Sequence, residues 1–108
     1  MSAELHCLAI APHPDDAELC CGGLLASLGE RNYQVGILDL TRGELASQGS
    51  VAERADEAAA AAEILGLHTR ENLGLPDGGL DPRDEPQLRA LVAALRRLRP
   101  ELVLAPYR

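Results

Sequence analysis

The tetrapeptide HPDD at positions 13–16 places an imidazole and two carboxylates together, directly after the apolar run CLAIAP. His13 and Asp16 stand three apart across a turn, close enough to share one divalent cation. Imidazole nitrogen and carboxylate oxygen are both ordinary ligands of zinc, and other divalent metals accept the same pair. Asp15 would then remain beside the cation, able to take a proton from a water molecule. A plainer reading is that Asp15 or Asp16 caps a helix while His13 decorates a loop. Placement decides between the two.

The hydrophobic pattern predicts β-α-β-α-β-α-β within one domain. HCLAIAP and QVGILDL read as buried strands, ENLGL as a weaker one and ELVLAPY as a fourth. Between the first two, Leu19, Leu24, Leu25 and Leu28 recur at helical spacing behind Asp15 or Asp16 as N-cap. A second helix spans about Val51 to Leu65, with Ser50 as its cap, Glu53 completing a capping box and Gly66 as its stop. In QLRALVAALRRLR, Leu88, Leu91, Val92, Leu95 and Leu98 form one apolar face, and Pro100 ends the helix. Alternation of this kind implies a parallel sheet with right-handed crossovers and helices on its faces.

In such sheets ligands bind beyond the carboxyl ends of the strands. That edge receives HPDD, TRGE, PDGG and YR, whereas His6 and His68 fall at the opposite edge and carry no expected role. A dinucleotide-binding fold would place a glycine-rich loop at the first turn, so that backbone N–H groups meet phosphate. Here two prolines remove donors and two carboxylates repel anions, so a cation is favoured over a nucleotide. Gly22 and Gly23 lie inside the first helix, where close packing accounts for them, and Cys20 and Cys21 read as small buried residues between helix and sheet.

Composition narrows the partners. Seventeen acidic against ten basic residues give a net charge of −7, and the aromatic side chains are two tyrosines. Both features disfavour nucleic acid and anionic membranes. No apolar run approaches a membrane span, and no basic segment precedes the first apolar stretch, so neither an anchor nor a signal peptide is expected. Three cysteines, two of them adjacent, do not form a disulfide framework, which points to the cytoplasm.

Taken together, APHPDDAELCCGG, LDLTRGE, RADEAAAAAEILG and NLGLPDGGL resemble the zinc-dependent N-acetylglucosaminyl deacetylases, the LmbE-like or PIG-L superfamily. The second and fourth stretches are most similar to the bacterial branch that deacetylates N-acetylglucosaminyl malate in bacillithiol synthesis. The resemblance implies a Rossmann-like three-layer fold, with residues 1–108 as its N-terminal portion, and hydrolysis of the linear acetamide on a glucosamine-type sugar. Carried onto this chain, it makes His13 and Asp16 zinc ligands and Asp15 the general base. Arg54 falls where the family binds substrate or stabilises an oxyanion; on residues alone it reads as a helix arginine beside Glu53 or Glu57. Arg42, Glu44 and Asp77, on loops at the same edge, are candidates for contact with sugar hydroxyls.

The family also takes a third zinc ligand from an HPDH motif just after the fourth strand, and that motif is not among residues 1–108. Two other functions fit parts of the pattern: a non-catalytic half-domain or binding module, and a metal phosphoesterase. The expected partner is a small amino-sugar substrate, and an open strand edge favours homo-oligomers.

Overall fold

The computed structural model describes residues 5–45 and 49–106. Tyr107 and Arg108, expected beyond the fourth strand, lie outside them. The elements run β1 (Cys7–Ala11), α1 (Asp16–Glu30), β2 (Val35–Thr41), α2 (Val51–Leu65), β3 (Thr69–Leu75), α3 (Glu85–Leu98) and β4 (Leu102–Leu104). The strands form one sheet in the order β3-β2-β1-β4, and every pairing is parallel. The chain adds β2 and β3 on one side of β1 and then crosses to place β4 on the other. The carboxyl end of β1 is therefore the switch point where open α/β sheets bind ligands.

Alternation along the strands divides the core into two layers. Cys7, Ala9 and Ala11 of β1, with Val35 and Ile37 of β2, pack against Ala17 and Leu25 of α1, with Leu65 of α2 at the margin. Leu8 and Leu38 point the other way, towards Ala94 and Leu98 of α3. Leu8, Leu25, Val35, Ile37 and Leu38 are wholly shielded from solvent, each worth about 1.5–3 kcal/mol in transfer free energy. This small aliphatic core holds β1 and β2 rigidly, and those strands deliver the turns at the switch point.

The boundaries of α2 follow its punctuation: Ser50 Oγ accepts the Glu53 N–H at 3.0 Å, and Gly66 closes the helix at φ 70°. Elsewhere the structure departs from the pattern. Cys21 adopts φ −144°, ψ 19° and kinks α1, and the buried face of the helix runs through Ala17, Cys21, Leu25 and Leu28 rather than through all four expected leucines. Leu25 is buried, but Leu19 is 84% exposed and Leu24 49%. Cys20 is likewise exposed rather than packed between helix and sheet. Close packing does not explain the glycines either: a Cβ on Gly22 would meet only Glu18 Cβ at 4.0 Å, and one on Gly23 nothing within 4 Å.

Strand β3 starts at Thr69 rather than Glu71, because Gly36 and Ile37 of β2 pair with Thr69 and Arg70 and extend the ladder. Strand β4 is shorter than its apolar run, and Leu88 of α3 is half exposed. No described helix is long and apolar enough to cross a membrane.

Candidate metal and catalytic site

The turn after β1 is clasped from β2. Pro12 O accepts both the Thr41 N–H (3.0 Å) and the Thr41 hydroxyl (2.9 Å), and Thr41 is fully buried. Within the turn, the His13 N–H donates to Asp16 Oδ2 at 3.2 Å. Asp15 sits at φ 86°, in the left-handed region, where a non-glycine residue stores on the order of 1 kcal/mol or more of strain. Its side chain makes no capping bond to α1 and remains exposed. Asp15 thus occupies the cap position without capping, with its carboxylate free towards solvent.

His13 lies between two carboxylates. Its Nδ1 is 3.2 Å from Asp16 Oδ2, and its Nε2 is 2.7 Å from Asp77 Oδ1. Asp77 is held in turn: its other oxygen accepts the Leu45 N–H at 2.9 Å, and its own N–H donates to Glu44 Oε2 at 2.9 Å. The loops after β2 and β3 are thereby tied together behind the imidazole. Burial pulls the His13 pKa down, but hydrogen bonds and charge from Asp77 and Asp16 outweigh it and hold it above the ordinary histidine value. The Leu45 N–H, with His13, keeps the Asp77 carboxyl below its usual range. The Asp77 N–H likewise lowers that of Glu44.

This arrangement suits a cation. Nε2 makes the shorter contact, 2.7 Å to Asp77, and in the neutral tautomer that carries its proton there the Nδ1 lone pair faces the Asp16 carboxylate across 3.2 Å. Two acceptors then face each other, as two ligands of a tetrahedral zinc do at a separation of about 3.3 Å. Among the described residues no group of three His, Cys, Asp or Glu side chains is arranged to hold a metal. His13 and Asp16 supply two donors.

His13, Asp15, Asp16, Asp77 and Arg54 line one open cleft of about 400 Å³. Arg54 enters it from the first turn of α2, passing Gly43, which takes φ 68° and where a Cβ would make only ordinary contact with the guanidinium, 3.4 Å from Nη1. Arg42 is elsewhere: it packs over Gly74 and borders a larger, mainly apolar groove of about 640 Å³ between α2 and β3. Glu44 braces Asp77 and does not line the cleft. His6 and His68 stay at the far edge, where His6 Nδ1 accepts the Gln34 N–H.

Sequence reasoning missed the support beneath this site. Arg70 of β3 grips Asp39 of β2 through Nε (2.8 Å) and Nη2 (3.1 Å), and also grips Glu18 in the first turn of α1. Burial pushes the Asp39 carboxyl up against the pull of Arg70. Arg70 lies just ahead of the expected strand ENLGL, so its inward strand position emerges only with the longer β3; there a buried arginine requires an acidic partner.

Fold and site together define a Rossmann-like α/β protein whose switch-point turn offers an imidazole and carboxylates where a nucleotide-binding relative offers glycine amides. The chain belongs to the PIG-L family: residues 8–108 match the family model described as GlcNAc-PI de-N-acetylase. It is 30% identical to the "probable N-acetyl-alpha-D-glucosaminyl L-malate deacetylase 2" of Bacillus anthracis, over 99% of this chain and 52% of that protein. Among solved structures, the conserved protein TT1542 from Thermus thermophilus shares 55% identity and a TM-score of 0.89, covering 95% of this chain and 46% of that one. The N,N'-diacetylchitobiose deacetylase from Pyrococcus horikoshii gives 29% identity and a TM-score of 0.82, over 93% and 40%. The chain spans about half the length of these relatives.

Proposed function

We propose that the chain supplies the amino-terminal part of the active site of a metal-dependent deacetylase that hydrolyses the acetamide of an N-acetylglucosamine-type substrate. The observation that carries this reading is the convergence of His13, Asp15, Asp16, Arg54 and Asp77 on one cleft at the carboxyl end of β1. The family match and the deacetylase names of the relatives support the reaction class and the sugar. The similarity to the malate-linked enzyme makes N-acetylglucosaminyl malate the first substrate to try.

His13 Nδ1 and Asp16 would hold the metal, with a third ligand contributed from beyond residues 1–108. A bound Zn²⁺ supplies Lewis-acid polarisation and a more acidic water. Asp77 fixes the His13 ring and its tautomer by holding the proton on Nε2. Asp15, exposed and not engaged as a cap, accepts the proton of the attacking water. The water oxygen bonds to the acyl carbon, the C–N bond breaks, and acetate leaves the amine, which takes up a proton. Arg54 faces the cleft as a fixed positive charge for the oxyanion that develops on the acyl oxygen. Arg42, at the neighbouring groove, and Glu44, behind Asp77, are proposed to act on sugar hydroxyls and loop position respectively.

The test is acetate release from N-acetylglucosaminyl malate and related N-acetylglucosaminides by the whole protein, with Zn²⁺ and after chelation. Acetate released only with metal supports the reading. Phosphate release from sugar phosphates without deacetylation would favour a metal phosphoesterase, and neither activity together with no retained metal would favour a non-catalytic module.

A further inference from the structure

We propose that Arg70 is a positioning residue for the His13–Asp16 turn, tying the first turn of α1 to β2 and β3 so that the two donors face one point before a metal arrives. The inference rests on the metal reading of that turn, which itself says nothing about Arg70.

Three observations carry it. First, the guanidinium divides between two carboxylates on different elements: Nε and Nη2 meet Asp39 within β2, while Nη2 and Nη1 approach the two Glu18 oxygens at 3.0 and 2.9 Å. The Arg70, Asp39 and Glu18 side chains are 7%, 3% and 18% exposed, so water screens the network weakly. Second, Glu18 stands two residues after Asp16, in the same helical turn, and its direct tie to the sheet runs through Arg70. Third, Asp15 is held at φ 86° with no side-chain cap bond. Such strain persists only where the surroundings over-determine the backbone. Thr41 restrains the turn before Asp15 through Pro12 O, and the Glu18–Arg70 pair restrains it after. With both ends fixed, the His13 Nδ1 to Asp16 Oδ2 separation stays at the spacing that two ligands of one ion need.

A planar fork is required for this task. Lysine presents a single point charge and cannot serve both carboxylates with the same geometry. Removing Arg70 altogether would leave Asp39 buried without a counter-charge and threatens folding, so the decisive variant is Glu18→Ala, which keeps the Arg70–Asp39 pair intact.

The experiment uses the whole protein and two readouts. In the metal-free protein, amide exchange at Leu19, whose N–H bonds to Asp15 O, should become about tenfold faster in Glu18→Ala while Leu25 is unchanged. In the folded variant, affinity for Zn²⁺ alone should fall about tenfold. Glu18→Gln, which keeps an acceptor for the guanidinium, should recover most of both effects. Exchange that rises evenly along α1 and the sheet, or a Zn²⁺ affinity within twofold of the parent, overturns the proposal. His13→Ala separates the two failures. If it leaves Zn²⁺ binding unchanged, the metal reading of the turn is wrong, and the exchange pattern alone decides whether Arg70 positions it.

Discussion

His13 Nε2 meets Asp77 Oδ1 at 2.7 Å across a separation of 64 residues, joining the turn after β1 to the loop after β3. On the proposed reading, this contact holds the proton on Nε2 and leaves Nδ1 towards Asp16 and a metal. Replacing Asp77 with Asn keeps one polar contact but loses the charge, and either Nε2 tautomer can then pair with the amide. Metal affinity should fall roughly 10–100-fold, as for other orienting partners of ligating histidines. Titration with Zn²⁺ against a competing chelator measures it, and a change below twofold would mean that Asp77 does not orient the ring.

Thr41 is a second support. Its hydroxyl donates to Pro12 O and accepts the Gly43 N–H at 3.1 Å. Thr41→Val keeps the shape and strands that N–H, so urea unfolding should show a loss of about 1–3 kcal/mol.

Glu44 gives a pH signature. Its carboxyl is held below the ordinary value by the Asp77 N–H. A depressed carboxylate stabilises the fold above its unfolded pKa of about 4.3 and loses that contribution as pH falls through the folded value. The stability difference between the parent and Glu44→Gln should therefore be present at pH 7 and vanish on acidification below about 4.3. A difference that grows with acid would reverse the assigned sign.

The thiols should separate by exposure. Cys20 is exposed, whereas burial raises the pKa of Cys7 and of Cys21, each also raised by a neighbouring thiol. Near neutral pH, one thiol should react quickly with a disulfide reagent in the native protein and all three after denaturation. Rapid labelling of Cys7 in the native state would contradict the packing described.

Gly36 lets β2 lie close against Thr69 of β3. A Cβ there would lie 2.8 Å from Thr69 Cγ2 and 3.0 Å from Leu5 Cδ1. Gly36→Ala should cost about 1–3 kcal/mol, and adding Thr69→Ala should recover part of the loss by clearing the nearer contact.

The strands, the α2 boundaries and the HPDD turn were legible because their signals are local: apolar runs, a Ser50 cap, a Gly66 stop and four adjacent polar residues. What remained hidden depends on distance. Arg70 finds Asp39 and Glu18 31 and 52 residues away, and no window on the sequence connects them. Asp77 was placed at the correct edge, but its grip on His13 required both loops to fold. Leu19 and Cys20 face outward because the buried face of α1 runs through Ala17, Cys21, Leu25 and Leu28, and at 100° per residue Leu19 stands opposite Leu28. Arg42 and Glu44 shared an edge with the cleft without lining it, since an edge locates a loop and not the side chains upon it.

The central claim is that Asp15 acts as a base beside a metal held by His13 and Asp16. Its most direct test is the zinc-loaded whole protein with Asp15→Asn, assayed for both zinc content and acetate release. Zinc should be retained at the parent level and turnover reduced about 10²–10⁴-fold, the range for loss of a general base. Turnover within a few-fold of the parent, with zinc still bound, would contradict the claim.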